Sequence, residues 1–125
     1  MEGAFGLMAK MRIAVFLAAL TGVLAWTLPA AAHSTGTVVK VTAGKPSELR
    51  FTLSTKTVTH GLVTFKIVNK GILSHDFSIA GKTSPMVAPG KSATLKVKLK
   101  KGKATYKCTV PGHATAGMKG ILTVK

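Results

Sequence analysis

Acidic residues and cysteine are nearly missing from this sequence, and each shortage excludes something. Three carboxylates face 18 Lys and Arg, a formal net charge of +15 over 125 residues. The lone cysteine, Cys108, excludes an internal disulfide framework and any site needing two thiolates from one chain. Aromatics are 6% of the chain against 13 glycines, which favours short strands and turns over a helical bundle. Arginine is scarce as well, since only Arg50 remains beyond residue 32, beside fifteen lysines. Base reading leans on arginine, and neither a nucleic-acid motif nor interleaved aromatics accompany the lysines. Apolar residues, by contrast, are plentiful. At 46% hydrophobic the chain cannot be wholly disordered, and its length suits one domain.

The first 32 residues differ from the rest. Lys10 and Arg12 precede an uncharged run from Ile13 to Trp26, and Ala30 and Ala32 fit the small-residue rule for signal cleavage. The pattern predicts an export signal over 1–32 and a domain over 33–125. A retained membrane anchor is the alternative, because Ile13 to Ala32 nearly spans a bilayer. Residues 33–125 carry 16 basic groups against Glu48 and Asp76, a balance of +14. So short a domain buries a modest core and often needs a staple. With no disulfide available, a metal is the natural substitute.

The remaining residues punctuate as an antiparallel β-sandwich of about seven to eight short strands. Strands are expected at Thr37–Thr42, Glu48–Ser54, Gly61–Asn69 and Ser74–Ala80. Others run through Leu95, Val97 and Leu99, through Ala104, Tyr106 and Cys108, and from Gly120 to Val124. Leu95, Val97 and Leu99 alternate with Lys96, Lys98 and Lys100, so the lysines face outward. Pro85–Gly90 reads as a turn-rich connection without a helix.

Parity carries functional information. His75 shares a face with Phe77 and Ile79 at the start of its strand, and Cys108 shares one with Tyr106 at the end of its own. In an up-and-down order those two ends meet at one pole. The loop Thr109–Gly117 leaves that pole carrying His113, and Met118 follows as the chain re-enters the sheet. Taken singly, each has a plainer reading. An inward histidine is commonly a satisfied core group, a methionine is core filler, and a buried thiol is inert. Together, Cys108, His113 and Met118 at five-residue intervals, with His75 upstream, make a His₂Cys plane with a weak axial Met. That is the donor set of a blue-copper electron-transfer site.

The stretch Tyr106-Lys107-Cys108-Thr109-Val110-Pro111-Gly112-His113, running on to Met118, resembles the ligand loop of the cupredoxins. Ser74-His75-Asp76-Phe77 after Asn69-Lys70-Gly71 resembles their first-histidine segment. The loop spacing is most similar to the rusticyanin and sulfocyanin types. The resemblance implies a Greek-key sandwich over about residues 37–125 holding one Cu(I)/Cu(II) ion. It also implies that Asp76, where many relatives have Asn, accepts a hydrogen bond from Thr109 and braces the ligands from behind. The alternative is that Asp76 faces solvent, since its parity opposes Phe77. Ser74 replaces the glycine of azurin-like members, which implies four ligands and not five.

The expected function is outer-sphere electron shuttling by a non-enzyme, with the ring edge of His113 as the port. An exported protein for copper storage, delivery or tolerance would use the same ligands. A metal-free structural sandwich is a third possibility. The lysines read first as a solvated strand face that discourages edge pairing. They also make a field that favours an acidic redox partner or an anionic membrane surface. His60 begins its strand roughly 25–30 Å from the copper pole and cannot be a ligand there. With His33 at a free amino terminus it could form a second, weaker metal site, against the plainer reading of coincidence beside a loose tail.

Overall fold

A computed structural model describes residues 35–125, and the expected export signal and His33 lie outside the described residues. Nine strands build two sheets. These are β1 (Thr37–Ala43), β2 (Phe51–Leu53), β3 (Thr57–Val58), β4 (Gly61–Asn69), β5 (Ser78–Ile79), β6 (Lys82–Thr83), β7 (Ser92–Leu99), β8 (Gly102–Lys107) and β9 (Lys119–Val124). One sheet runs β2-β1-β4-β7 and the other β3-β9-β8-β5-β6. No helix occurs among the described residues.

Alternation explains the layers. Val39, Val41 and Ala43 of β1 and Val63, Phe65 and Ile67 of β4 are buried, while Val38, Lys40 and Lys66 are exposed. Register places Val39, Phe65 and Leu95 in one cross-strand row. From the facing sheet, Ile79, Tyr106, Leu122 and Val124 close the core. Phe77 is fully buried at its centre, with ring centroids 5.3 Å from Phe51, 5.1 Å from Phe65 and 5.4 Å from Tyr106. Such pairs add to what burial alone contributes.

Three expectations need correction. Neither sheet is purely antiparallel, because β1 pairs with β4 and β3 with β9 in parallel. Alternation marks the buried face of a strand but not the direction of its neighbour, so the pattern was silent on this. Ser74–Ala80 is not one strand: only Ser78–Ile79 qualifies, and His75 makes an isolated bridge to Val87. The Glu48–Ser54 strand shortens to Phe51–Leu53, with Gly44 N–H donating to the Arg50 carbonyl at 3.0 Å just before it.

The consequence for function is one crowded pole. β1 and β4 end there side by side, Ala43 opposite Asn69, and β8 ends there as β9 begins, Lys107 opposite Lys119. His75, Cys108, the 109–117 loop and Met118 all belong to connections at that end.

Candidate metal centre

Each candidate donor is held by its backbone before its side chain is considered. His75 exchanges both main-chain hydrogen bonds with Val87, at 3.1 and 2.7 Å. Asn69 secures that pairing from below. Its Nδ2 donates to the carbonyls of Leu73 (2.6 Å) and Val87 (2.8 Å), and its Oδ1 accepts from Gly71 N–H at 2.9 Å. By sequence Asn69 is simply the last residue of a strand, yet it is fully buried and every polar group is used. The downstream loop is laced in the same way. Cys108 N–H donates to the Met118 carbonyl and Met118 N–H to the His113 carbonyl, both at 3.0 Å. Arg50 reaches across to donate from Nη1 to the Ala116 carbonyl at 3.1 Å. Gly117 suits this contact twice over, with φ at +114° and the Arg50 guanidinium lying where a Cβ would stand.

These frames bring three donor atoms together. His75 Nδ1 lies 3.2 Å from His113 Nδ1, and Cys108 Sγ lies 3.6 Å from the same nitrogen. A first-row ion bonded at about 2.0–2.1 Å to nitrogen and 2.3 Å to sulfur, in a near-trigonal plane, needs separations of roughly 3.1–3.8 Å. His75, Cys108 and His113 therefore form a possible metal site, with donors all within 4.8 Å of one another. Met118 is fully buried in the small apolar cluster that contains Cys108 and Ala43. His75 and Cys108 are buried too, and His113 alone of the four is partly exposed.

Asp76 does not face solvent. It is 4% exposed, and its Oδ1 accepts from Thr109 N–H at 2.6 Å while Oδ2 accepts a short bond from the Thr109 hydroxyl. Strand parity misled here because residues 74–77 are not in regular strand. Burial pushes the Cys108 thiol above its usual range, so the metal-free protein keeps its proton there until a metal displaces it.

Glu48 is the site residue that sequence reading missed. Its Oε1 lies 2.9 Å from His75 Nε2, and its two oxygens accept from the Ile72 and Leu73 N–H groups. Those N–H groups, followed by His75, hold its carboxyl below the usual range. The stability this contributes is present at neutral pH and is lost as pH falls through the folded-state value. The only available signal was scarcity. Glu48 and Asp76 are the only acidic side chains beyond residue 2, and both are engaged beside the donors. His60 stays apart as expected, exposed at the opposite pole with Nδ1 2.9 Å from the Lys125 carbonyl.

Comparison with known proteins adds a name to this geometry. Auracyanin B superposes with a TM-score of 0.60 at 22% identity, covering 71% of this chain and 88% of its own. Auracyanin A, a "blue" copper protein of Chloroflexus aurantiacus, gives 0.58 at 20% identity, covering 72% and 99%. Reduced rusticyanin gives 0.55 at 24% identity, covering 70% and 78%. At such identities these likenesses speak for the fold, a cupredoxin sandwich. No curated protein matches in sequence. The family model of copper binding proteins of the plastocyanin/azurin type, however, matches residues 35–125, the whole described region. The chain belongs to the plastocyanin/azurin family of copper binding proteins.

Proposed function

We propose that this protein is an exported one-electron carrier with a single type 1 copper held by His75, Cys108 and His113 and tuned by Met118. One observation carries the reading: two imidazole nitrogens and a thiol sulfur meet at 3.2 and 3.6 Å in a pocket from which only His113 reaches solvent. Bound copper would supply a Cu(II)/Cu(I) couple that needs no substrate bond. Sulfur donors suit Cu(I) and imidazoles suit both states, so the donor set serves either without exchange of ligands. Asp76 and Thr109 tie the His75 segment to the Cys108 loop and limit how far the donors can move between states. The partly exposed His113 is the port, beside Pro111 and Ala114. Export is supported by the charged, then apolar, then alanine-rich leader.

Reversible voltammetry on the protein loaded with one equivalent of Cu(II) tests this. Met118→Leu should retain the copper and raise the potential by on the order of 60 mV, the equivalent of a tenfold change in relative affinity for the two states. An unmoved potential would leave Met118 as core filler. If copper left the protein faster than electrons did, the protein would be one of storage or delivery.

The partner is expected to be acidic and the protein monomeric. Lys96 and Lys98 are exposed on β7, and among the described residues both acidic side chains, Glu48 and Asp76, are already hydrogen-bonded at the site. Electron transfer to an acidic partner should slow steeply with salt, as the Debye length falls from about 30 Å at 0.01 M to 10 Å at 0.1 M. Reversing Lys96 and Lys98 to Glu should flatten that slope and leave the copper spectrum unchanged. Equal salt slopes with acidic and basic partners would remove the lysines from recognition.

A further inference from the structure

Glu48 stands 27 positions before His75, in the connection between β1 and β2, and reaches the site across the pole. Its carboxylate can only accept hydrogen bonds, so the His75 nitrogen facing it must carry a proton. That nitrogen is Nε2, at 2.9 Å. With Nε2 protonated, the neutral ring presents its lone pair on Nδ1, the atom that faces His113 Nδ1 at 3.2 Å. The carboxylate thus selects the tautomer in which the inward nitrogen is free to bind a metal. His75 is fully buried, while the Glu48 side chain is 28% exposed, so the pair is shielded on the ring side.

The carboxylate is itself fixed in place. Oε1 accepts from Leu73 N–H at 2.8 Å and Oε2 from Ile72 N–H at 2.9 Å. Gly71 leaves the room, since a Cβ there would fall 2.6 Å from Oε2. A clip for the 71–73 turn would need only the two N–H contacts. The third contact, to a candidate donor ring, is what the turn does not require.

We propose that Glu48 is a positioning residue of the copper site, fixing the tautomer and orientation of His75 and favouring Cu(II) over Cu(I) through its negative charge. This rests on the reading of His75 Nδ1 as a copper ligand. The carboxylate sits across the His75 ring from Nδ1, so its charge would act on an ion held there and favour the more highly charged of two cations that differ by one charge.

The test compares the wild type with E48Q, which keeps an acceptor for His75 but removes the charge. E48Q should retain the copper colour while its preference for Cu(II) over Cu(I) falls about tenfold, a rise of ~59 mV for a one-electron couple. Nitrogen-15 NMR of the wild-type Cu(I) protein, which needs no variant to fold, should show His75 protonated at Nε2. A coloured wild type with an E48Q potential that does not move overturns the proposal, even if copper-free E48Q melts lower, because Glu48 would then be a turn clip only. A His75 ring lacking its Nε2 proton also overturns it. A wild type that stays colourless with Cu(II) fails earlier, at the ligand reading, and takes this proposal with it.

Discussion

Cys108→Ser is expected to erase the visible colour that one equivalent of Cu(II) should produce in the intact protein. The intensity of such a colour comes from charge transfer out of a thiolate, and Cys108 is the only sulfhydryl in the chain. A serine hydroxyl in the same place neither ionises at neutral pH nor donates softly to Cu(I). Losing an outer partner of a metal ligand costs about 10–100-fold in affinity, so losing the ligand itself should exceed about 100-fold. The loop should survive the change, because Cys108 is tied to Met118 through its backbone N–H. Optical titration of both proteins with Cu(II) decides the matter. Equal colour in the serine variant would remove the sulfur from the site.

Phe77→Ala should have the largest effect on stability. The ring is fully buried and packs against Phe51, Phe65 and Tyr106, with ring centroids 5.1–5.4 Å away. Truncating such a phenylalanine costs about 3–5 kcal/mol, a large share of the roughly 5–15 kcal/mol that holds a domain together. Its backbone bonds with Ser84 would remain, so the loss is a packing loss. Copper should restore part of it, since a ligand at 100 times its dissociation constant contributes about 2.7 kcal/mol. Denaturant unfolding of the copper-free and copper-loaded variant measures both quantities. A loss below about 1 kcal/mol would mean that the cluster can collapse around the gap.

The parts of this molecule written in periodic order were legible beforehand. The strand Gly61–Asn69 was found with both ends correct, because Val63, Phe65 and Ile67 alternate without interruption. The meeting of His75, Cys108 and His113 was legible too, since donor types and loop spacing are local properties. Strand direction was not, because a parallel and an antiparallel neighbour ask for the same alternation. The two-residue strands Thr57–Val58 and Lys82–Thr83 are too short to show a period. The bond from Thr109 to Asp76 was already implied by the family resemblance, whereas Asn69 and Glu48 escaped for a different reason. Each works through hydrogen bonds between irregular segments, and contacts of that kind leave no repeat in the chain.

The placement of the two carboxylates has a further consequence, for life in acid. Most proteins unfold at low pH because many paired carboxylates must take up protons, each drawing the equilibrium toward the unfolded chain. Between residues 35 and 125 there are two such side chains, and neither stands free on the surface. Lysine and arginine side chains are already cationic in neutral water, so acidification adds side-chain charge only through these two carboxylates and the few histidines, a small increment on the repulsion already present. The sandwich should therefore tolerate acid far better than a domain of its size with ordinary composition.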